Sequence, residues 1–93
     1  MTIRQMLLDI VMKQSRTAQG HLRQNLPKWK IYELDYQVLH HPDMELRGGY
    51  PHWPEPHSIR ARVSELVKDG ILSHDDSRPR NYMLNRENHI HVF

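Results

Sequence analysis

Ninety-three residues, 38% hydrophobic and 26% charged, are enough for one modest core and too few for two. No cysteine is present, which excludes a disulfide framework, a thiolate metal site and a cysteine nucleophile. The net charge of +2 is small but uneven: residues 1–30 sum to +5, residues 31–56 to −4 and residues 57–93 to +1. Such asymmetry predicts distinct basic and acidic surfaces. No apolar run approaches the roughly eighteen residues of a membrane span, and Met1-Thr2-Ile3-Arg4 does not open a signal peptide. The expectation is a cytoplasmic protein with no membrane partner.

In chain order, Thr2-Ile3-Arg4-Gln5 reads as a capping box, with Thr2 as N-cap and Gln5 reaching back. Ile3, Met6, Leu7, Ile10 and Val11 then keep one helical stripe to about Gln14. Beyond Ser15-Arg16-Thr17, Ala18, Leu22 and Leu26 sit four apart. They predict a short second helix over 17–26 that ends before Pro27, although Gly20 lowers its propensity by about 1 kcal/mol.

Residues 29–39 fit two periods. Tyr32, Leu34, Tyr36 and Val38 alternate as in a strand, whereas Trp29, Tyr32, Tyr36 and Leu39 share one helical face. Length and the preceding Pro27 favour helix. Residues 40–56 read as a loop, because Pro42, Gly48-Gly49, Pro51, Pro54 and Pro56 interrupt any long element.

Ile59, Val63, Leu66 and Val67 predict a helix over 57–69, started by Pro56 with His57 or Ser58 and stopped by Gly70. Two apolar strand candidates, 71–74 and 81–85, bracket Asp75-Asp76-Ser77-Arg78-Pro79-Arg80 and predict a β-hairpin. A turn at Arg86-Glu87-Asn88 and a last strand over 89–93 complete the reading.

Helices followed by a capped helix that runs into a hairpin resemble the winged helix-turn-helix superfamily. The residues that carry the likeness are Ser58, Ala61-Arg62-Val63, Glu65-Leu66 and Gly70-Ile71-Leu72. The resemblance implies an α+β fold, a single winged-helix-like domain over 1–93. It implies N-terminal helices, a recognition helix at about 58–69 lying in the DNA major groove, and a hairpin wing at 74–81 along the backbone. The aromatic, acidic stretch at about 27–56 is an insertion, longer than the usual link before such a helix. No cofactor is implied.

Side-chain chemistry supplies roles within that frame. Arginine can donate two hydrogen bonds to guanine, and serine can meet other base edges. Arg60 and Ser64, one turn apart, are the base-reading candidates, with Arg62 on the flank and Lys68 suited to phosphate. Arg78 and Arg80 flank Pro79 as a stiff pair for backbone or minor-groove contact. Asp75 and Asp76 oppose them, since phosphate repels acids. The expected function is a sequence-specific regulator binding double-stranded DNA as a homodimer, in a setting such as a phage or mobile element. Basic residues in 1–30 would supply grip and 58–68 discrimination.

The alternative is a winged fold that binds protein rather than DNA. Trp29, Tyr32, Tyr36, Tyr50 and Trp53 place five of the seven aromatics in one acidic span, and Trp and Tyr dominate interface hot spots. Core filling is the competing reading of the same residues. Eight histidines include His89 and His91, which alternate on one strand face, but no zinc spacing completes a ligand set. No recognised spacing brings a nucleophile, a base and an oxyanion partner together. The expectation is therefore no metal and no enzyme.

Overall fold

The computed structural model describes residues 1–49 and 51–87. Its elements run α1 (Ile3–Ser15), β1 (Trp29–Lys30), α2 (Ile31–Leu39), α3 (Pro42–Leu46), α4 (Pro56–Lys68), β2 (Leu72–Asp75) and β3 (Arg78–Leu84). The protein is an α+β fold of four helices and a three-stranded antiparallel sheet, ordered β1-β3-β2. That arrangement is compatible with a winged helix.

The first helix follows its local code. Thr2 Oγ1 accepts from the Gln5 N–H at 3.1 Å, and the Gln5 side chain accepts from the Thr2 N–H at 2.7 Å. Met6, Leu7, Ile10, Val11 and Met12 face inward. They meet Leu34 and Val38 of α2, Met44 of α3, Ile59, Val63 and Leu66 of α4, and Leu72 and Leu84 of the sheet. Each such burial contributes on the order of 1.5–3 kcal/mol.

The expected helix over 17–26 is not formed. Arg16 and Leu22 instead pair as an isolated antiparallel bridge, closed by Thr17 N–H to His21 O at 2.7 Å and Gly20 N–H to Thr17 O at 2.9 Å. Gly20 sits at φ +86°, a left-handed conformation that reverses the chain. The Thr17 hydroxyl takes the His21 N–H at 3.2 Å, the kind of side-chain bond that competes with helix. Leu22 and Leu26 still reach the core, from extended backbone.

Residues 29–39 use both periods in succession. Trp29 and Lys30 pair with Tyr82 and Asn81, and the helix starts at Ile31 with the Lys30 N–H bonded to Glu33 Oε1 at 3.3 Å. Within the expected loop, Pro42–Leu46 forms a single short helix whose N-cap, His41, accepts the Asp43 N–H on Nδ1 at 3.0 Å. Proline at the first helical position is a start signal, not a breaker.

α4 begins at Pro56 with Glu55 as its N-cap and no side-chain cap, so Ser58 lies inside the first turn and does not cap. Its end is as expected. Ile71 N–H reaches Leu66 O at 3.0 Å and Gly70 N–H reaches Val67 O at 3.1 Å, the paired bonds of a Schellman stop, with Gly70 at φ +77°. The hairpin pairs Leu72 with Leu84, Ser73 with Met83 and His74 with Tyr82, then shifts register so that Asp75 faces Arg78. The last strand expected over 89–93 lies outside the described residues.

Candidate nucleic-acid interface

The helical period decides which side chains α4 shows to solvent. Ile59, Val63 and Leu66 are buried, while His57, Ala61, Ser64 and Lys68 are exposed. These four lie four, three and four residues apart, so they form one ridge. Arg60 flanks the ridge on the side of α2, where its guanidinium stands 3.6 Å from the Asp35 carboxylate. Arg62 lies on the opposite flank and lines a groove against α1 with Thr2, Arg4 and Glu65. Its Nη2 meets Glu65 Oε1 at 2.9 Å. The structure therefore brings Arg60, Ser64 and Lys68 together and turns Arg62 towards the protein.

The hairpin holds the second group. The register shift leaves Pro79, Arg80 and Asn81 between the His74–Tyr82 and Asp75–Arg78 pairs. Pro79 O turns inward and accepts from His74 Nδ1 at 2.6 Å, and the His74 ring packs on Tyr82 with centroids 4.9 Å apart. On the other edge of β3, Asn81 pairs with Lys30 of β1. Lys30, Arg78, Pro79, Arg80 and Asn81 consequently line one shallow depression. Lys30 is the member that the sequence did not single out; it arrives because β1 pairs with β3, a non-local fact.

Charge pairing sorts the cations further. Arg4 meets Asp69 at 2.8 Å, Lys13 meets Asp9 at 3.2 Å and Lys28 meets Asp75 at 3.1 Å. Two of the five excess positive charges of residues 1–30, Arg4 and Lys28, are thus answered by acids from the rest of the fold. Among the described residues, Lys30, Lys68, Arg78 and Arg80 form no salt bridge. Of the two acids expected to oppose the hairpin arginines, Asp76 is exposed and Asp75 is occupied. Asp75 is 6% exposed and accepts from the Ser77 N–H and hydroxyl at 3.2 and 3.0 Å. Burial pushes its carboxyl up, but the hydrogen bonds from Lys28 and Ser77 and the Lys28 charge more than offset this and hold it below the ordinary value.

The aromatic set divides. Trp29, 3% exposed, belongs to the core, and its indole N–H donates to Gln14 Oε1 at 3.0 Å. Tyr32 and Tyr36 are 60% and 65% exposed, and Trp53 is half-exposed. Tyr50 lies outside the described residues, as do His89 and His91. Among the described residues no cluster of three or more His, Cys, Asp or Glu side chains is placed to hold a metal. No described helix is long and apolar enough to cross a membrane. No protein family, curated protein or solved structure matches the chain.

Proposed function

We propose that the protein is a winged-helix DNA-binding regulator that reads duplex sequence with the α4 ridge and holds the backbone with the hairpin. The observation that carries this reading is the sorting of cations. Lys68 on the ridge and Lys30, Arg78 and Arg80 at the hairpin form no salt bridge, whereas Arg4, Lys13, Lys28, Arg60 and Arg62 do. Small residues at Ala61 and Ser64 let the ridge approach base edges closely, and Arg60 supplies the bidentate donor beside them. Lys68 suits phosphate, as do the hairpin cations. Arg62, engaged with Glu65, contributes to the helix–helix groove more than to the ridge.

Anisotropy titration on mixed-sequence duplex DNA at several salt concentrations tests the assignment. Four phosphate contacts, from Lys30, Lys68, Arg78 and Arg80, correspond to a log–log slope of about −3 to −4, and Arg60→Ala/Lys68→Ala lowers its magnitude by about 1 through the loss of Lys68. Arg78→Ala/Arg80→Ala weakens binding to all sequences alike, whereas Arg60→Ala alone erodes the preference for the best sequence. Absence of duplex binding by the wild type at low salt overturns the proposal.

A further inference from the structure

We infer that the exposed face of α2 is a stacking platform for an unpaired polynucleotide strand, whose phosphates run against Lys30, Arg78 and Arg80. The helix divides its residues by period: Leu34 and Val38 are buried, and Tyr32, Tyr36 and His40, each four residues apart, are exposed. The row is continuous. The Tyr36 and His40 ring centroids are 4.4 Å apart, and His40 meets the Trp53 ring edge-on at 5.6 Å. Tyr32 and Tyr36 line a shared depression. At its other end, Lys30 Nζ lies 5.8 Å from the Tyr32 centroid and lines the next depression with Arg78 and Arg80. One strip thus joins three cations without salt bridges to a row of rings.

That combination is what binds single strands: cations follow the phosphates, and any base can stack on a ring, because every base has a π-face. A duplex keeps its bases paired and offers such a row nothing to stack. Of the two α2 carboxylates, Asp35 faces Arg60. Glu33, which lines the Tyr32–Tyr36 depression and accepts from the Lys30 backbone N–H, leaves one negative charge set against the three cations of the strip. A second copy of the chain is the less favoured occupant. A twofold interface through this strip brings two copies of the cation cluster together.

The strand site shares Lys30, Arg78 and Arg80 with the duplex reading but not the α4 ridge, so variants of the α2 rings and of the ridge make the two fail separately. Labelled oligo(dT) and oligo(rU) of about a dozen nucleotides are titrated beside a duplex at low salt. Tyr32→Ala/Tyr36→Ala is expected to weaken strand binding by at least about tenfold and to leave duplex binding unchanged. Tyr32→Phe/Tyr36→Phe, which keeps the rings, restores strand binding. Arg60→Ala/Lys68→Ala shows the reverse pattern. Quenching of tryptophan emission by oligo(dT) is expected in the wild type and lost in Trp53→Phe. Stronger binding of one oligonucleotide assigns the strand as DNA or RNA. Strand affinity that survives the alanine pair, or no strand binding at low salt, overturns the inference. So does a fall in oligomer mass in the alanine pair without loss of strand binding, which makes the strip a protein interface.

Discussion

Asp35 of α2 stands 3.6 Å from Arg60 of α4, so the arginine proposed to read a base is shared with a carboxylate of its own fold. The guanidinium is more than half exposed, which keeps the pair weak, on the order of 0.2–1 kcal/mol. Asp35→Asn releases Arg60 and is expected to tighten duplex binding by roughly two- to fivefold, the same energy expressed as affinity. In an Arg60→Ala background the gain disappears, and anisotropy on the two single variants and the double variant measures that coupling. An equal gain with and without Arg60 assigns it to general charge and removes Arg60 from the interface.

Gly70 carries the stop of α4 at φ +77°, a conformation that costs a residue with a Cβ about 1–2 kcal/mol. Gly70→Ala is expected to lower the unfolding free energy by that amount, read from the midpoint of a urea titration with an unchanged slope. Full stability in the variant shows that the helix end has an alternative to the Schellman bonds.

What could be read from the chain alone follows from how far each signal reaches. The capping box at Thr2 and Gln5, the inward stripe of α4 and the stop at Gly70 are encoded within a few residues and have the expected form. The hairpin forms too, but Arg78-Pro79-Arg80, expected at its tip, lie inside β3, with the turn reduced to residues 76–77 and a register shift beside it. Residues 17–26 misled because Ala18, Leu22 and Leu26 do have helical spacing, yet Gly20 and the Thr17 hydroxyl turn the backbone before a helix can nucleate. The switch from strand to helix at Lys30 and Ile31 depends on Asn81 and Tyr82, some fifty residues away. The same remote pairing places Lys30 beside Arg78 and Arg80. Ser64 and Lys68 on the ridge and Arg60 on its flank were legible by period, and Arg62–Glu65 is a local i,i+3 pair, whereas the groove that Arg62 lines against α1 is non-local.

Trp29 separates core from surface in the aromatic segment. Buried and bonded through its indole to Gln14, it is expected to cost about 3–5 kcal/mol as Trp29→Ala, a large share of the roughly 5–15 kcal/mol of a typical domain. Tyr32→Ala, on the exposed face, is expected to shift the melting temperature little. Thermal unfolding followed by far-UV circular dichroism compares them, and equal losses contradict the division.

The hairpin is expected to carry an acid-sensitive contact. The Asp75 carboxyl lies below its ordinary value in the fold, so its ionised form stabilises the native state. That contribution is complete above the unfolded value of about 3.9 and is lost as pH falls through the lower folded value. Asp75→Asn keeps an oxygen for Ser77 but loses the attraction of Lys28. The melting temperature of the wild type minus that of Asp75→Asn is therefore positive and constant above about pH 5 and shrinks below about pH 4. In a Lys28→Met background the difference is smaller throughout. A difference that grows on acidification contradicts the sign.

His41 ties α3 to α1 by a defined tautomer. Its Nδ1 accepts the Asp43 N–H at 3.0 Å, so in the neutral ring Nε2 carries the proton and donates to Asp9 Oδ2 at 2.8 Å. Burial raises the Asp9 carboxyl, but the hydrogen bonds from His41 and Lys13 and the Lys13 charge leave it below the ordinary value. His41→Ala removes both bonds at a buried position and is expected to cost about 1–3 kcal/mol. Asp9→Asn leaves an oxygen that can accept from Nε2 and should cost less. The double variant should then be little worse than His41→Ala alone, because the two residues act through one bond. Fully additive losses in urea titrations indicate that they stabilise the fold independently, with α3 held by its Met44 side chain rather than by the histidine.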